Sequence, residues 1–196
     1  DRDYLNEALQ EYTIGDPNLP KVDIGPIINK NSKDRLLKHI SALKKSAKRT
    51  IEHHHKQDKG NLFITPIVFE IDSINQIDEE NFGPILHFIR YKNENLQQVI
   101  DEINDTGYGL TMGVHSRIVS KARRIFEAAN VGNFYFNRDI VGAVVGVQPF
   151  GGQGLSGTGP KAGGPGYLYN FVTEKTYTDN VMATGGNIEL LNKNAM

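Results

Sequence analysis

The segment from residue 85 to residue 137 alternates between two hydrophobic periods, and this alternation constrains the fold more than any other feature. Three stretches have the β-branched and aromatic composition of strands: Ile85 to Tyr91, Leu110 to His115 and Val131 to Asn137. The two stretches between them repeat apolar residues every third or fourth position, which predicts helices. Strands and helices that alternate in this way form parallel sheets with crossover helices. We therefore predict an α/β fold that contains a parallel sheet with flanking helices.

The residues before this segment predict two further helices and one strand. Residues 1–13 and 33–48 have helical spacing, and Leu62 to Glu70 has the composition of a strand. Ser32 is the predicted N-cap of the second helix, whose lysines are predicted to face solvent. The apolar face of that helix consists of Leu36, Leu37, Ile40, Leu43 and Ala47. Helical spacing begins at Tyr4 with no capping residue before it, so we expect the sequence to be part of a longer chain.

Composition argues against several classes of function. The 196 residues carry a net charge of −1, so no basic surplus indicates nucleic-acid binding, and no apolar run is long enough for a membrane helix. The chain has no cysteine, which excludes disulfides, thiolate metal sites and a thiol nucleophile within it. Since no apolar export signal precedes the first helix either, we predict a cytoplasmic protein.

A long glycine- and proline-rich loop, residues 148–166, contains the pattern G-x-G-x-x-G from Gly152 to Gly157. A dinucleotide fingerprint needs a hydrophobic strand before this pattern and a helix after it, and neither is predicted here. Two interpretations remain. The loop is either a flexible connection or a cradle whose backbone N–H groups bind an anionic or carbonyl ligand, because glycine permits close approach.

The segment Glu79-Glu80-Asn81-Phe82-Gly83-Pro84 lies between two predicted strands. A carboxylate can accept hydrogen bonds from both hydroxyls of a ribose, and an aromatic ring can pack on a flat heterocycle. The segment therefore has the chemistry of a dinucleotide site. Acidic residues before a turn are also common on ordinary protein surfaces, so this alternative stays open at the level of composition.

Three consecutive histidines, His53 to His55, suggest a metal site at first sight. Adjacent residues of a helix point in different directions and do not easily share one ion, so we predict a solvated helix end instead. His39, His87 and His115 are dispersed along the chain. A late strand is predicted from Val172 to Val181, and because it is polar on both faces, we predict that it pairs with another subunit.

Taken together, these segments resemble the aldehyde dehydrogenase superfamily. Four stretches carry the resemblance in the order of the family: Gly15-Asp16-Pro17 with Asp23-Ile24-Gly25-Pro26, then Glu80 to Pro84, then Asn104 to Leu110, then Gly132 to Asn137 with Pro149-Phe150-Gly151-Gly152. The continuation from Gly154 to Pro165 is similar to the proline-utilisation branch. That branch oxidises L-glutamate γ-semialdehyde, which is in equilibrium with pyrroline-5-carboxylate, to glutamate with NAD.

The resemblance implies roles for individual residues. Glu80 would hold the nicotinamide ribose and Phe82 would pack beside the nicotinamide. The backbone N–H groups of Gly163 and Gly164 would bind the α-carboxylate of the substrate, with Ser156 nearby and Phe171 against its aliphatic part. Asn81 departs from the family pattern, which has an apolar residue at this place.

The resemblance also implies what the chain lacks and what surrounds it. The cysteine nucleophile and the general-base glutamate of the family lie upstream, so we expect no aldehyde oxidation by this chain alone. Residues 1–171 would be the C-terminal part of a catalytic domain, and residues 172–196 an oligomerisation strand and tail that joins identical subunits. FAD would belong to a proline dehydrogenase domain of the parent protein, outside this chain. The alternatives are a dehydrogenase for another aldehyde and a non-catalytic oligomerisation or binding module, and the choice between NAD and NADP stays open.

Overall fold

The computed structural model describes residues 2–54, 62–157 and 159–180. Its helices are α1 (Arg2–Gln10), α2 (Lys30–Ser46), α3 (Leu96–Asp105) and α4 (Val119–Ala128). Its strands are β1 (Arg49–Glu52), β2 (Ile67–Glu70), β3 (Ile85–Phe88), β4 (Tyr108–Gly109), β5 (Thr111–Val114), β6 (Asn133–Phe136) and β7 (Gln153–Gly154). Short 3-10 helices cover Ile74–Gln76, Asn93–Asn95 and Tyr167–Phe171. No helix within the described ranges is long and apolar enough to cross a membrane.

The chain divides into two compact units. The first unit comprises Asp1–Tyr108 and Ile118–Ala129, and the second comprises Gly109–Arg117 and Asn130–Met196. The first unit therefore contains α1 to α4 and β1 to β3, whereas β5, β6 and the glycine-rich loop belong to the second.

In the first unit, β2 is the central strand of a three-stranded sheet. It pairs with β1 in antiparallel orientation and with β3 in parallel orientation. Successive side chains of a strand point to opposite faces, and both faces of β2 are covered. Phe69 packs with Leu36, Ile40 and other residues on the α2 side, while Val68 packs with Leu9 on the other side. This double coverage explains why the first three residues of β2, Ile67 to Phe69, are all apolar and buried.

Helix α2 has the predicted apolar face but a different N-cap. Leu36, Ile40 and Leu43 are buried, which confirms the helical periodicity. The prediction that Ser32 is the cap was wrong: the side chain of Asn29 accepts a hydrogen bond of 2.8 Å from the Ser32 backbone N–H. Asn29 is the last residue with extended backbone, and its short amide therefore reaches the free N–H groups of the first turn.

One lysine of α2 was also assigned wrongly to the solvated face. Lys33 is buried, because it precedes Leu36 by nearly one helical turn and so falls on the same stripe. Its long aliphatic stem can be covered by apolar neighbours while the charged group still finds a partner.

Helices α3 and α4 confirm the two predictions between residues 96 and 129. Leu96 and Ile100 of α3 and Ala122 and Ile125 of α4 are buried. Helix α3 ends shortly before Gly107, whose φ of 74° gives the left-handed conformation that commonly terminates a helix.

The second unit contains a parallel pair of strands. β5 pairs with β6, with Thr111 opposite Asn133 and Val114 opposite Phe136. The parallel pairing predicted from the alternation is therefore confirmed for β5 with β6, whereas the parallel pairing of β2 with β3 was not part of that prediction. These pairs lie in separate sheets, and the antiparallel strand β1 was not predicted. Four residues of mixed polarity, Arg49–Glu52, give too short a pattern to separate from the end of the preceding helix.

The strand predicted from Val172 onward is not formed within this chain. Residues 172–180 have no regular secondary structure and are exposed, and Val181 lies outside the described residues. A strand is stabilised by hydrogen bonds to a neighbouring strand, and none of the described residues supplies such a partner for this segment.

Candidate functional site

A cleft of about 510 Å³ in the first unit contains the acidic segment singled out from the sequence. The cleft is lined by Glu79, Glu80, Asn81 and Phe82, by Pro26 to Ile28, and by residues from the first turns of α2. Glu80 is exposed, and 83% of the surface of Phe82 is accessible. A carboxylate and a free aromatic face are therefore available to a ligand at the same cleft.

Local contacts determine the course of this segment. The side-chain amide of Asn81 donates a hydrogen bond of 2.8 Å to the Glu79 carbonyl, which turns the chain between Glu79 and Phe82. Gly83 then passes against α2, where an added Cβ would lie 2.7 Å from a methyl group of Leu36. Asn81, which departs from the family pattern, thus stabilises the turn by a hydrogen bond rather than by apolar packing.

The groups of this cleft fit a nicotinamide nucleotide chemically. The Glu80 carboxylate is an acceptor for paired ribose hydroxyls, and the Phe82 ring offers a flat apolar surface for a heterocycle. The Arg35 guanidinium lies at the same cleft, 3.9 Å from the Glu79 carboxylate. The cleft therefore combines acceptor, aromatic and cationic groups.

The side chains of two histidines, His39 and His87, are in contact in the first unit, and this contact was not predicted from the sequence. Nε2 of His39 on α2 lies 2.8 Å from Nε2 of His87 on β3, although the residues are 48 positions apart. His87 stands opposite Phe69 in the strand register, so both rings point toward α2 and stack. The contact follows from this register, which no local sequence signal reveals.

Burial disfavours the charged form of both rings. Desolvation, together with the neighbouring His39, lowers the pKa of His87 to about 4. Desolvation also lowers the pKa of His39, although Asp78 and Glu79 act in the opposite direction. Near neutral pH the pair is therefore uncharged, with one Nε2 donating the shared hydrogen bond to the other.

His53 and His54 do not lie at a helix end, so the prediction was wrong for these two residues. They follow β1, whose residues intervene between α2 and His53. His53 is buried and its ring contacts the Tyr12 carbonyl at 3.1 Å, while the backbone N–H of His54 donates to the Gln10 side chain. His55 lies outside the described residues.

The glycine-rich loop of the second unit is held by paired backbone hydrogen bonds. Phe150 and Ala162 exchange two such bonds of 3.0 Å, so the loop returns on itself. The buried side chain of Asn133 donates to the Pro149 carbonyl at 3.0 Å and accepts from the Gly151 N–H at 3.2 Å. These contacts disagree with a simple flexible connection. No helix follows Gly157 in the described part of the loop, as expected for a segment that is not a dinucleotide fingerprint.

The predicted substrate glycines form a tight turn. The Gly164 N–H donates to the Lys161 carbonyl at 3.0 Å and so closes the turn. Gly163 has a φ of 73°, and an added Cβ there would meet nothing within 4 Å. Among the described residues we find no acceptor for the Gly163 N–H, and Gly163 is exposed. Of the two predicted donors, Gly163 is therefore the one available to a ligand.

Ser156 and Phe171 occupy different surroundings in the same unit. The Ser156 hydroxyl oxygen accepts a hydrogen bond of 3.1 Å from the Gly109 N–H, which leaves its hydrogen for another acceptor. Phe171 ends the last 3-10 helix, is 70% exposed and packs edge-on against Tyr167. Glu80 and Phe82 belong to the first unit, and the predicted substrate residues belong to the second.

Comparison with known proteins assigns this architecture to a class. The sequence model of the aldehyde dehydrogenase family matches residues 2–177. The chain therefore belongs to the aldehyde dehydrogenase family, and the resemblance inferred from its motifs is confirmed.

Particular relatives narrow the class. The bifunctional protein PutA of Escherichia coli K12 is 42% identical over 177 residues, which are 87% of this chain and 13% of that protein. The 1-pyrroline-5-carboxylate dehydrogenase of Geobacillus sp. WCH70 is 37% identical over 88% of this chain and 33% of that enzyme. The chain thus spans only a small part of the length of the relatives that it matches.

Solved structures agree with the sequence comparison. A mutant of proline utilization A (PutA) from Bradyrhizobium japonicum superposes with a TM-score of 0.82 and 48% identity, covering 94% of this chain and 19% of that one. A Thermus 1-pyrroline-5-carboxylate dehydrogenase with bound NAD gives a TM-score of 0.73 at 36% identity, covering 87% of this chain and 33% of that one. The described chain is therefore a partial aldehyde dehydrogenase fold of mixed α/β content.

Proposed function

We propose that this chain forms part of an NAD-dependent dehydrogenase that oxidises L-glutamate γ-semialdehyde to L-glutamate in proline breakdown. The observation that carries the proposal is its similarity both to PutA proteins and to separate 1-pyrroline-5-carboxylate dehydrogenases over 87–88% of the chain. The first group is named for proline utilization and the second for 1-pyrroline-5-carboxylate dehydrogenase activity, and this chain is similar to both.

Within the proposed enzyme, the cleft of the first unit holds the nicotinamide half of the cofactor. The Glu80 carboxylate accepts hydrogen bonds from the ribose hydroxyls, and the Phe82 ring limits the movement of the nicotinamide. NAD supplies the hydride acceptor when it is bound. The exposed carboxylate and aromatic ring at one cleft, and the bound NAD of the Thermus relative, support this assignment.

The glycine turn of the second unit binds the substrate's α-carboxylate. The Gly163 N–H donates to it, Gly164 keeps the turn closed, and the free hydroxyl hydrogen of Ser156 is a further donor. Phe171 packs against the aliphatic part of the aldehyde. Support comes from the left-handed backbone of Gly163 and the open space around it.

The reacting groups come from elsewhere in the proposed enzyme. The chain contains no cysteine, so the thiolate nucleophile and the general base belong to other segments of the parent protein. Residues 1–171 complete the catalytic domain, and residues 172–196 join identical subunits. FAD belongs to a separate proline dehydrogenase domain, and the cytoplasmic location stays a prediction.

The experiment measures NADH formation by the full-length protein that contains this chain. We expect faster turnover of glutamate semialdehyde than of an aliphatic aldehyde of similar length. Glu80→Gln should raise the KM for NAD about tenfold, because a charge-assisted hydrogen bond is lost. Glu79→Gln is the matched control, since it removes a neighbouring carboxylate of the same cleft.

Other results would select the alternatives. Equal turnover of both aldehydes would keep the family and remove the proposed substrate. Absence of turnover with every aldehyde would favour a non-catalytic oligomerisation or binding module. Activity of residues 1–196 alone would contradict the assignment of the nucleophile to another segment.

A further inference from the structure

Lys161 connects the glycine turn to the beginning of β6. Its ammonium group donates to the Gly132 carbonyl and lies 3.3 Å from the side-chain oxygen of Asn133. The side chain is half-buried, and no carboxylate of the described residues forms an ion pair with it. Lys161 is therefore a partly desolvated cation held by neutral oxygens.

The main chain of the same residue shapes the turn. The Lys161 carbonyl accepts the hydrogen bond from Gly164, and the next residue, Ala162, pairs with Phe150. Side-chain and main-chain contacts of Lys161 thus fix the turn at both ends. The direction of the Gly163 N–H follows from this double attachment, because only Ala162 separates Gly163 from Lys161.

The charge of Lys161 is available to an anion bound at the turn. Within the second unit, the Asp139 carboxylate pairs with Arg138 at 3.3 Å, and Glu174 and Asp179 lie in the exposed segment after Phe171. Since no carboxylate within residues 109–117, 130–157 and 159–180 pairs with the ammonium group, no ion pair in this part of the unit neutralises its charge. An anion near such a cation is stabilised more strongly than it would be in water, since part of the solvent is excluded.

We propose that Lys161 is a positioning residue that determines the preference of this site for aldehydes carrying an α-carboxylate. It holds the Gly163 N–H in place and adds a positive field, without contacting the substrate. The proposal rests on the proposed function, because it concerns the substrate class of that same turn. A residue that only stabilised the loop would affect every substrate alike.

The test uses three substitutions in the full-length protein. Lys161→Arg keeps the charge and the donors, Lys161→Gln keeps a donor without the charge, and Lys161→Met keeps only the stem. Arg117→Gln is the matched control, because Arg117 is an exposed cation of the same unit and lies outside residues 172–196. KM and kcat are measured for glutamate semialdehyde, for an aliphatic aldehyde of similar length and for NAD.

We expect Lys161→Met to raise the KM for glutamate semialdehyde about tenfold, because the positive field at the turn is lost and the Gly163 N–H is held less firmly. The KM for NAD and for the aliphatic aldehyde should stay unchanged. Lys161→Arg should behave like the wild type, and Lys161→Gln should fall between the two. If Lys161→Met does not fold, as judged by circular dichroism, Lys161→Gln decides.

Two kinetic results would overturn the proposal: an unchanged KM for the semialdehyde, or an equal rise for both aldehydes. Titration with the product L-glutamate gives a second measurement that needs no turnover. Weaker glutamate binding by Lys161→Met than by the wild type supports the role of Lys161. If the wild type binds glutamate in this way but does not oxidise the semialdehyde, only the proposed activity fails. Equal binding by both proteins, or no binding by the wild type, overturns the role of Lys161.

Discussion

The two units of this chain are stabilised by different kinds of contact. The first buries a continuous apolar cluster around β2, in which Phe69 and Ile71 are almost fully inaccessible. In the described part of the second unit, Tyr135 is the only buried apolar side chain. There the loop is attached to β6 by hydrogen bonds from Asn133 and Lys161. Hydrogen bonds from a few polar residues thus hold the second unit together, whereas the first unit is held together by the burial of many apolar side chains.

The second unit also exposes an apolar segment. Val141, Val145 and Val147 are each at least 74% accessible. Side chains this exposed add little to the core of the unit, because hydrophobic stabilisation grows with the area removed from water. The stability of the second unit should therefore depend on its polar contacts and on close backbone packing.

The largest effect is expected from Phe69→Ala in the first unit. The Phe69 side chain has no accessible surface, so the substitution should lower the free energy of unfolding by about 3–5 kcal/mol. Denaturant unfolding followed by circular dichroism measures this change. Phe82→Ala is the control, because the same atoms are removed from an exposed position. A similar loss in both variants would contradict the location of the core.

Gly132→Ala should produce the next largest effect, this time in the second unit. An added Cβ would lie 1.8 Å from the Gly151 carbonyl oxygen, so the loop must move away from β6. We expect a loss of about 2–3 kcal/mol, in the upper part of the range of about 1–3 kcal/mol that is typical of overpacked sites. Hydrogen exchange of the β6 amides should accelerate while that of β2 stays constant.

Gly166→Ala is the control for this substitution. Its added Cβ would lie 3.7 Å from Pro160, which is an ordinary contact, and its φ of −85° suits alanine. Equal exchange of β6 amides in the two variants would show that the close approach at Gly132 does not limit the unit.

The different contacts that stabilise the two units also explain which parts of the fold could be predicted from the sequence. The buried face of α2 follows from the spacing of Leu36, Ile40 and Leu43, because apolar periodicity is a local property. Asn133 and Lys161 carry no such signal, since their partners are backbone groups brought together by the fold. Sequence patterns therefore predicted most elements of the first unit but not the contacts that hold the loop of the second.

In the candidate site, too, local sequence patterns indicated some residues but not the contacts that depend on the fold. The segment from Glu79 to Pro84 was selected because a carboxylate and an aromatic ring stand close together in it, and the resemblance to the family implied roles for Glu80 and Phe82. The pairing of His39 with His87 depends on the register of β2 with β3 and could not be inferred. Likewise, the resemblance implied that both Gly163 and Gly164 are donors, whereas only the structure shows that the Gly164 N–H closes the turn.

A smaller effect, confined to the first unit, is expected from pH. The pKa of His87 is lowered from 6.5 to about 4, so the unfolded chain binds a proton at a higher pH than the folded chain does. Stability from this source is complete above about pH 6.5 and is lost as the pH falls toward 4. Because the ring is only half-buried and solvent screens part of the effect, we expect a loss of about 1–2 kcal/mol.

The free energy of unfolding is measured at several pH values from about 7.5 down to about 4. This range includes both the ordinary pKa of histidine, 6.5, and the lowered pKa of His87, about 4. The double variant His39→Gln, His87→Leu should lose less stability over this range than the wild type. His115→Gln, which removes a histidine from the second unit, is the control. Parallel pH profiles of the wild type and the double variant would eliminate the histidine pair as a source of the pH dependence.

The smallest effects compare one polar contact from each unit. Glu52→Gln removes the 2.8 Å ion pair with Lys44, and Ser156→Ala removes the acceptor of the Gly109 N–H. The ion pair is exposed, so its loss should cost at most about 0.5 kcal/mol and should vanish in high salt. Loss of the serine oxygen should cost about 1 kcal/mol at any salt concentration, because Gly109 is buried and its N–H would remain without a partner. Loss of a neutral contact in the second unit would then lower the free energy of unfolding more than loss of a charged contact in the first. The reverse order would mean that water replaces the serine oxygen as the acceptor. The polar network of the second unit would in that case contribute less to stability than its geometry indicates.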